Sequence, residues 1–179
     1  MKKLSMEDLG RMSVDEFKQS KKLPLVVVLD NVRSMNNIGS VFRTSDAFKI
    51  EKIYLCGITA QPPHKDIEKT ALGATQSVDW QYFENTLDAL VQLQKEDYKL
   101  FAVEQTTDSL FLHQVQWDGK TKVALVFGNE VNGVEQDVID KCEKSIEIPQ
   151  FGTKHSLNIS VSAGVVLWHF CHLYLQNNQ

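Results

Sequence analysis

Leu25-Val26-Val27-Val28-Leu29 is an unbroken apolar run with three β-branched residues at its centre. Such a segment has no face to leave in water, so it suits a strand covered on both sides, the usual situation in a parallel sheet. Val123–Phe127 repeats the pattern. Shorter strands are predicted at Ile53–Cys56, stopped by Gly57, and at Val78–Phe83, Leu100–Val103 and Ser145–Ile148. Helical signals alternate with them. Ser13-Val14-Asp15-Glu16 is a capping box that opens a short helix, and Asn36 or Asn37 is placed to cap a helix reaching Phe48, with Ile38, Val41, Phe42 and Ala47 inward. Further helices are expected at Asp66–Ala71, with a stop at Gly73, and at Asn85–Lys95, Val134–Cys142 and Leu157–Leu175. Strands alternating with helices imply an α/β fold, a mainly parallel sheet with helices on both faces. The chain divides into a short N-terminal helical arm, residues 1–24, and a single domain, residues 25–179.

With 179 residues the chain is long enough for one domain with a sizeable core. No apolar run reaches bilayer length, and Met1-Lys2-Lys3 leads into the acidic, amphipathic Ser5–Phe17 rather than into a signal segment, so a cytoplasmic protein is expected. Cys56, Cys142 and Cys171 form no Cys-x-x-Cys pair, which points to reduced, structural cysteines and to no cysteine zinc site. A net charge of −4 argues against nucleic-acid binding by the whole surface. Local basic footprints remain, in the arm through Lys2, Lys3, Arg11, Lys18, Lys21 and Lys22, and near predicted loops through Arg33, Arg43, Lys65, Lys69 and Lys154.

In an open parallel sheet, ligands bind beyond the carboxyl ends of the strands. Three loops stand there. The first, Asp30 to Arg43, carries Asn37 at a helix start, Gly39, which permits close packing, and Arg43, an arrangement able to hold an anion such as a phosphate. The second is Phe127-Gly128-Asn129-Glu130-Val131-Asn132-Gly133, whose glycines allow unusual backbone angles; it lacks the Gly-Lys-Ser/Thr of a Walker loop. The third runs from Ile148-Pro149 into Ser156-Leu157-Asn158-Ile159-Ser160-Val161-Ser162, where small polar residues crowd the start of the last helix. Each alone also fits a plain cap or turn.

Together, and in this order, Asn37-x-Gly39-x-x-x-Arg43, Phe127-Gly128-Asn129-Glu130-x-x-Gly133 and Ile148-Pro149 followed by Ser156-Leu157-Asn158-Ile159-Ser160-Val161 resemble the three motifs of the SpoU family. That family comprises RNA 2′-O-ribose methyltransferases of the SPOUT superfamily. The resemblance implies a C-terminal trefoil knot, S-adenosylmethionine bound in it, and a homodimer with active sites at the subunit interface. It makes Asn37, Arg43, Glu130, Ser156 and Asn158 the catalytic-site residues and puts the cofactor on main-chain groups near Glu104, Gly128, Ile148 and Leu157.

Under that resemblance Arg43 stabilises a developing alkoxide and grips the neighbouring phosphate. Asn37 orients Arg43 or the ribose. Glu130 holds its neighbouring loop through backbone amides or pairs with Arg43. His169 and His172 lack a third ligand at metal-site spacing, so no metal is expected; His155 is a secondary phosphate contact, and Trp168, Phe170 and Leu173 belong to core or dimer surface. Transfer RNA is favoured over ribosomal RNA as substrate, on the short basic arm. The rival readings are a non-catalytic RNA-binding or assembly factor on the same fold and a Rossmann enzyme; the latter would need Gly-x-Gly-x-x-Gly after the first strand, where Asp30–Gly39 has one glycine.

Overall fold

A computed structural model describes residues 1–5 and 8–178; Met6 and Glu7, within the Ser5–Phe17 stretch, and Gln179 lie outside the described residues. Helix α1 (Val14–Gln19) begins at the Ser13 capping box, in which Glu16 N–H donates to the Ser13 hydroxyl and Ser13 N–H to the Glu16 carboxylate. Then follow β1 (Leu23–Asp30), α2 (Met35–Ala47), β2 (Ile50–Cys56), α3 (Lys65–Ala71), α4 (Ala74–Ser77), β3 (Asp79–Phe83), α5 (Thr86–Lys95), β4 (Lys99–Val103), β5 (Leu110–Phe111), β6 (Val123–Phe127), α6 (Gln136–Ile139), β7 (Lys144–Glu147) and α7 (Ile159–Asn177).

Among the described residues seven strands form one sheet in the order β3-β2-β1-β6-β4-β7-β5, and every pairing is parallel. The two apolar runs, β1 and β6, lie side by side at its centre with Val27 opposite Leu125. Their alternate side chains feed two cores. Leu25, Val27 and Leu29 face α2 and α7, together with Phe17 of α1, while Val26 and Val28 face Ala89, Leu90 and Leu93 of α5 and Val138 of α6. Burial on both faces is what removed polar alternation from these strands. No helix of the described residues is long and apolar enough to cross a membrane.

Several local expectations shift. Ser34, not Asn36 or Asn37, caps α2: its hydroxyl accepts the Asn37 N–H at 3.3 Å, which leaves both asparagine side chains within the first turn. Leu72 takes the left-handed conformation that ends α3, and Gly73 instead precedes the short α4. The helix expected at Val134–Cys142 shrinks to Gln136–Ile139, and the last helix starts at Ile159 on an Asn158 cap, which leaves Ser156 in the loop. The two-residue β5 at the sheet edge carries no periodic signal that a sequence would show.

After β7 the chain turns back across the strand ends. Gln105, just past β4, donates its side-chain amide to the His155 carbonyl at 2.7 Å, and α7 continues on to pack against α2. Such a return crossing is consistent with the implied trefoil knot.

Gly39 is where α2 meets α3. A Cβ there would lie 2.2 Å from the Ile67 carbonyl and from the Thr70 hydroxyl, and that hydroxyl also donates to the Asn36 carbonyl at 3.0 Å. Gly39→Ala is expected to force the two helices apart and destabilise the fold by about 2 kcal/mol, the clash outweighing alanine's higher helix propensity. Urea unfolding with an unchanged slope would measure it; a variant as stable as the wild type would contradict this packing.

Candidate active site

The carboxyl ends of β6, β4 and β7 open into a cleft of about 510 Å³. Glu104, Gly128, Ile148 and Leu157 all line it, as do Glu130, Ser156 and Asn158. The cleft owes its shape to the loop after β6. Asn129 and Gly133 exchange two backbone hydrogen bonds of 2.9 Å, and the Asn129 side-chain oxygen accepts the Val131 and Asn132 amides. The loop's ends approach so closely that a Cβ on Gly128 would fall 2.1 Å from the Gly133 carbonyl carbon, and Gly133 holds a φ of +71°. Gly128 has no room for a side chain, and Gly133 has neither the room nor the backbone conformation for one.

Glu130 leans out of this loop onto the start of α2. Its carboxylate accepts the backbone N–H of Arg33 at 3.0 Å and of Ser34 at 2.9 Å, and the Asn37 side-chain amide at 3.0 Å. Partial burial works to raise its pKa, but these three donors prevail and the net shift is downward. The positive end of a thirteen-residue helix favours the same charge. Asn37 passes the connection on: its side-chain oxygen accepts the Asn158 amide at 3.2 Å, and the Asn158 oxygen accepts both the amide (2.9 Å) and the hydroxyl (2.7 Å) of Ser160. Residues 37, 130 and 158 thus form one hydrogen-bonded chain along the cleft rim.

Arg43 stands apart. Six residues beyond Asn37, it is about 9 Å farther along α2 and on another side of it. It is exposed and lines a second cleft, of about 550 Å³, between the arm and the α3–α4 corner. Arg11 and Lys49 line that cleft with it, beside Leu9, Met12 and Leu72. Of the two roles open to Glu130, the backbone-holding one is seen, and Asn37 orients Glu130 and Asn158 rather than Arg43. His155 lines the first cleft. His169 faces the Val115 carbonyl at 3.4 Å, and no group of three metal-ligating residues occurs among the described residues. Phe170 is core, whereas Trp168 is 52% exposed. Sequence reasoning overlooked Asp30, fully buried at the end of β1 with three hydrogen-bond donors, although a carboxyl residue closing an apolar strand was a visible signal.

Cys56 and Cys142 have thiols that burial, together with nearby Asp30, pushes up to about 12. They are free and unreactive in character.

Residues 24–168 match the model of the SpoU rRNA Methylase family. The tRNA (guanosine(18)-2′-O)-methyltransferase of Aquifex aeolicus is 29% identical over 157 residues, covering 86% of this chain and 71% of that protein. The 23S rRNA (guanosine-2′-O-)-methyltransferase RlmB of Neisseria meningitidis is 28% identical over 153 residues, and there the chain spans only 60% of its relative's length. Among solved structures, the A. aeolicus TrmH/SpoU tRNA modifying enzyme superposes with a TM-score of 0.81 at 25% identity, covering 92% of this chain and 82% of that one. An AdoMet-bound rRNA methyltransferase from Sinorhizobium meliloti gives 0.78 at 25% identity, covering 90% and 61%.

Since the folded pKa of Glu130 lies below the ordinary 4.5, its charged contacts contribute stability that is fully present above that value and is lost as pH falls through the lowered one. Glu130→Gln is therefore expected to be less stable than the wild type at neutral pH, with the gap closing in acid below 4.5. Thermal unfolding of both proteins across that range measures it, and a gap independent of pH would remove the carboxylate's charge from the account.

Proposed function

Because the chain belongs to the SpoU rRNA methylase family, we propose that it transfers the methyl group of S-adenosylmethionine to a ribose 2′-hydroxyl of structured RNA. One observation carries the reading: residues from three distant motifs are joined by hydrogen bonds on the rim of a single cleft at the strand ends. The cleft's volume lies within the range of small-molecule cofactor sites. Main-chain groups at Glu104, Gly128, Ile148 and Leu157 would hold the cofactor, and the solved S. meliloti relative has AdoMet bound. When bound, S-adenosylmethionine supplies an electrophilic methyl carbon on a sulfonium.

The protein's share of the chemistry is positioning and charge. Asn37, Ser156 and Asn158 orient the ribose oxygen at the rim, with Glu130 fixing Asn37. Arg43 stabilises the negative charge that grows on that oxygen and holds the adjacent phosphate. Within one protomer Arg43 opens onto the other cleft, so a second copy is needed to bring it to the cofactor. The exposed side of α7, with Val161, Val165, Trp168 and Leu175 at helical spacing, is the surface through which two copies would pair. The basic second cleft would take the RNA backbone. We favour transfer RNA, because the arm folds onto the domain through Phe17 and gives a single RNA-facing surface beside Arg43.

The test incubates the protein with labelled S-adenosylmethionine and undermethylated transfer and ribosomal RNA, then maps the modified ribose. Cofactor binding without transfer to any RNA would leave a non-catalytic RNA-binding factor as the better reading. Arg43→Ala is expected to abolish transfer while cofactor affinity stays within about twofold. Mixing Arg43→Ala with Asn158→Ala subunits is expected to restore about a quarter of wild-type activity, since random pairing leaves one intact site in half the dimers. Failure of the mixture to regain activity would mean that Arg43 serves its own protomer.

A further inference from the structure

Two carboxyl groups outside the three motifs converge on consecutive backbone amides. Asp30, the last residue of β1, accepts the Glu135 N–H on Oδ2 at 3.2 Å, and on Oδ1 the Thr86 hydroxyl at 2.5 Å and the Asn31 side-chain amide at 3.0 Å. Glu104, the first residue past β4, accepts the Val134 N–H on Oε2 at 3.0 Å and the Gln105 N–H on Oε1 at 2.9 Å. Strand β6 lies between β1 and β4. The loop leaving β6 is therefore gripped at its exit from both neighbouring strands.

The amides at stake have no other partner in view. They precede α6, a helix of four residues without a side-chain cap, and Val134 is buried, so unpaired N–H groups there would be costly. The Asn129 amide adds a third tie by donating to the Asn31 carbonyl at 2.8 Å. Gly133 makes room for the grip, since a Cβ at that position would lie 2.2 Å from Glu104 Oε2. Between the fixed entry at β6 and this fixed exit stands Glu130.

We propose that Asp30 and Glu104 are positioning residues for the transfer site: they clamp residues 128–135 so that Glu130 meets the start of α2 and the cleft keeps its shape. Glu104 acts through its side chain on the loop as well as bordering the cleft. The inference rests on the proposed transfer reaction for its kinetic consequence and on geometry alone for its structural one.

The variants are Asp30→Asn and Glu104→Gln, each keeping size and shape but offering one acceptor oxygen in place of two. In both, kcat is expected to fall about tenfold or more, because small misplacements at a transfer site are expensive, while KM for RNA stays within about twofold. The amide NMR signals of Val134 and Glu135 are expected to shift and to lose exchange protection. Those of Arg33 and Ser34, which report the Glu130 carboxylate, are expected to move with them, while amides within β1 and β6 hold. Ile50→Val, in the other core at the amino end of β2, serves as a control of similar stability loss. A kcat drop no greater than in that control, or unmoved Arg33 and Ser34 signals in both variants, would overturn the proposal. Should Asp30→Asn not fold, the half-exposed Glu104→Gln decides the matter. Should the wild type transfer no methyl group, the NMR comparison still tests the clamp.

Discussion

The contact on which the site depends is the seat of the Glu130 carboxylate on the first turn of α2. It accepts two backbone N–H groups and the Asn37 amide, at a helix end that has donors to spare and a dipole that favours negative charge. The Asn129 side-chain amide, donating to the Asn31 carbonyl at 2.8 Å, adds a second tie between the loop after β6 and the loop after β1. Through Asn37 the Glu130 contact reaches Asn158 and the start of α7. A single charged side chain thus makes three segments from different parts of the chain into one surface, and the sheet beneath supplies only their approximate placement.

The sheet's contribution follows from its hydrophobic pattern. With β1 and β6 buried on both faces, polar residues are driven to the strand ends, where Asp30, Glu104 and Gly128 mark the turns. Buried polar groups there require partners, and they find them in the backbone of neighbouring loops. The chemistry-bearing edge is therefore also the most hydrogen-bonded edge, which suits a reaction governed by position.

Much of this was legible in the residues. Val123–Phe127 appears with the expected bounds because an apolar run flanked by Lys122 and Gly128 has only one way to end. Glu104, Gly128, Ile148 and Leu157, expected near one ligand, do border one cleft. The cap of α2 was misread because Ser34, Asn36 and Asn37 are all competent caps, and a residue 93 positions away, Glu130, claims the Asn37 side chain. The position of Arg43 was equally hidden: spacing in a motif fixes distance along the helix, not the cleft onto which a side chain opens. The short α6 and β5 depend on neighbours rather than on local preference.

The bond between Asn158 and Asn37 spans 121 positions of sequence. Contacts of such long range form late, after the loops they close have been ordered. During synthesis the first motif leaves the ribosome well before the third exists, so a nascent chain presents Asn37 and Glu130 without the residue that completes their line. Assembly of the site then waits for the synthesis of α7, and a fragment truncated before Asn158 would lack the residue that completes the rim.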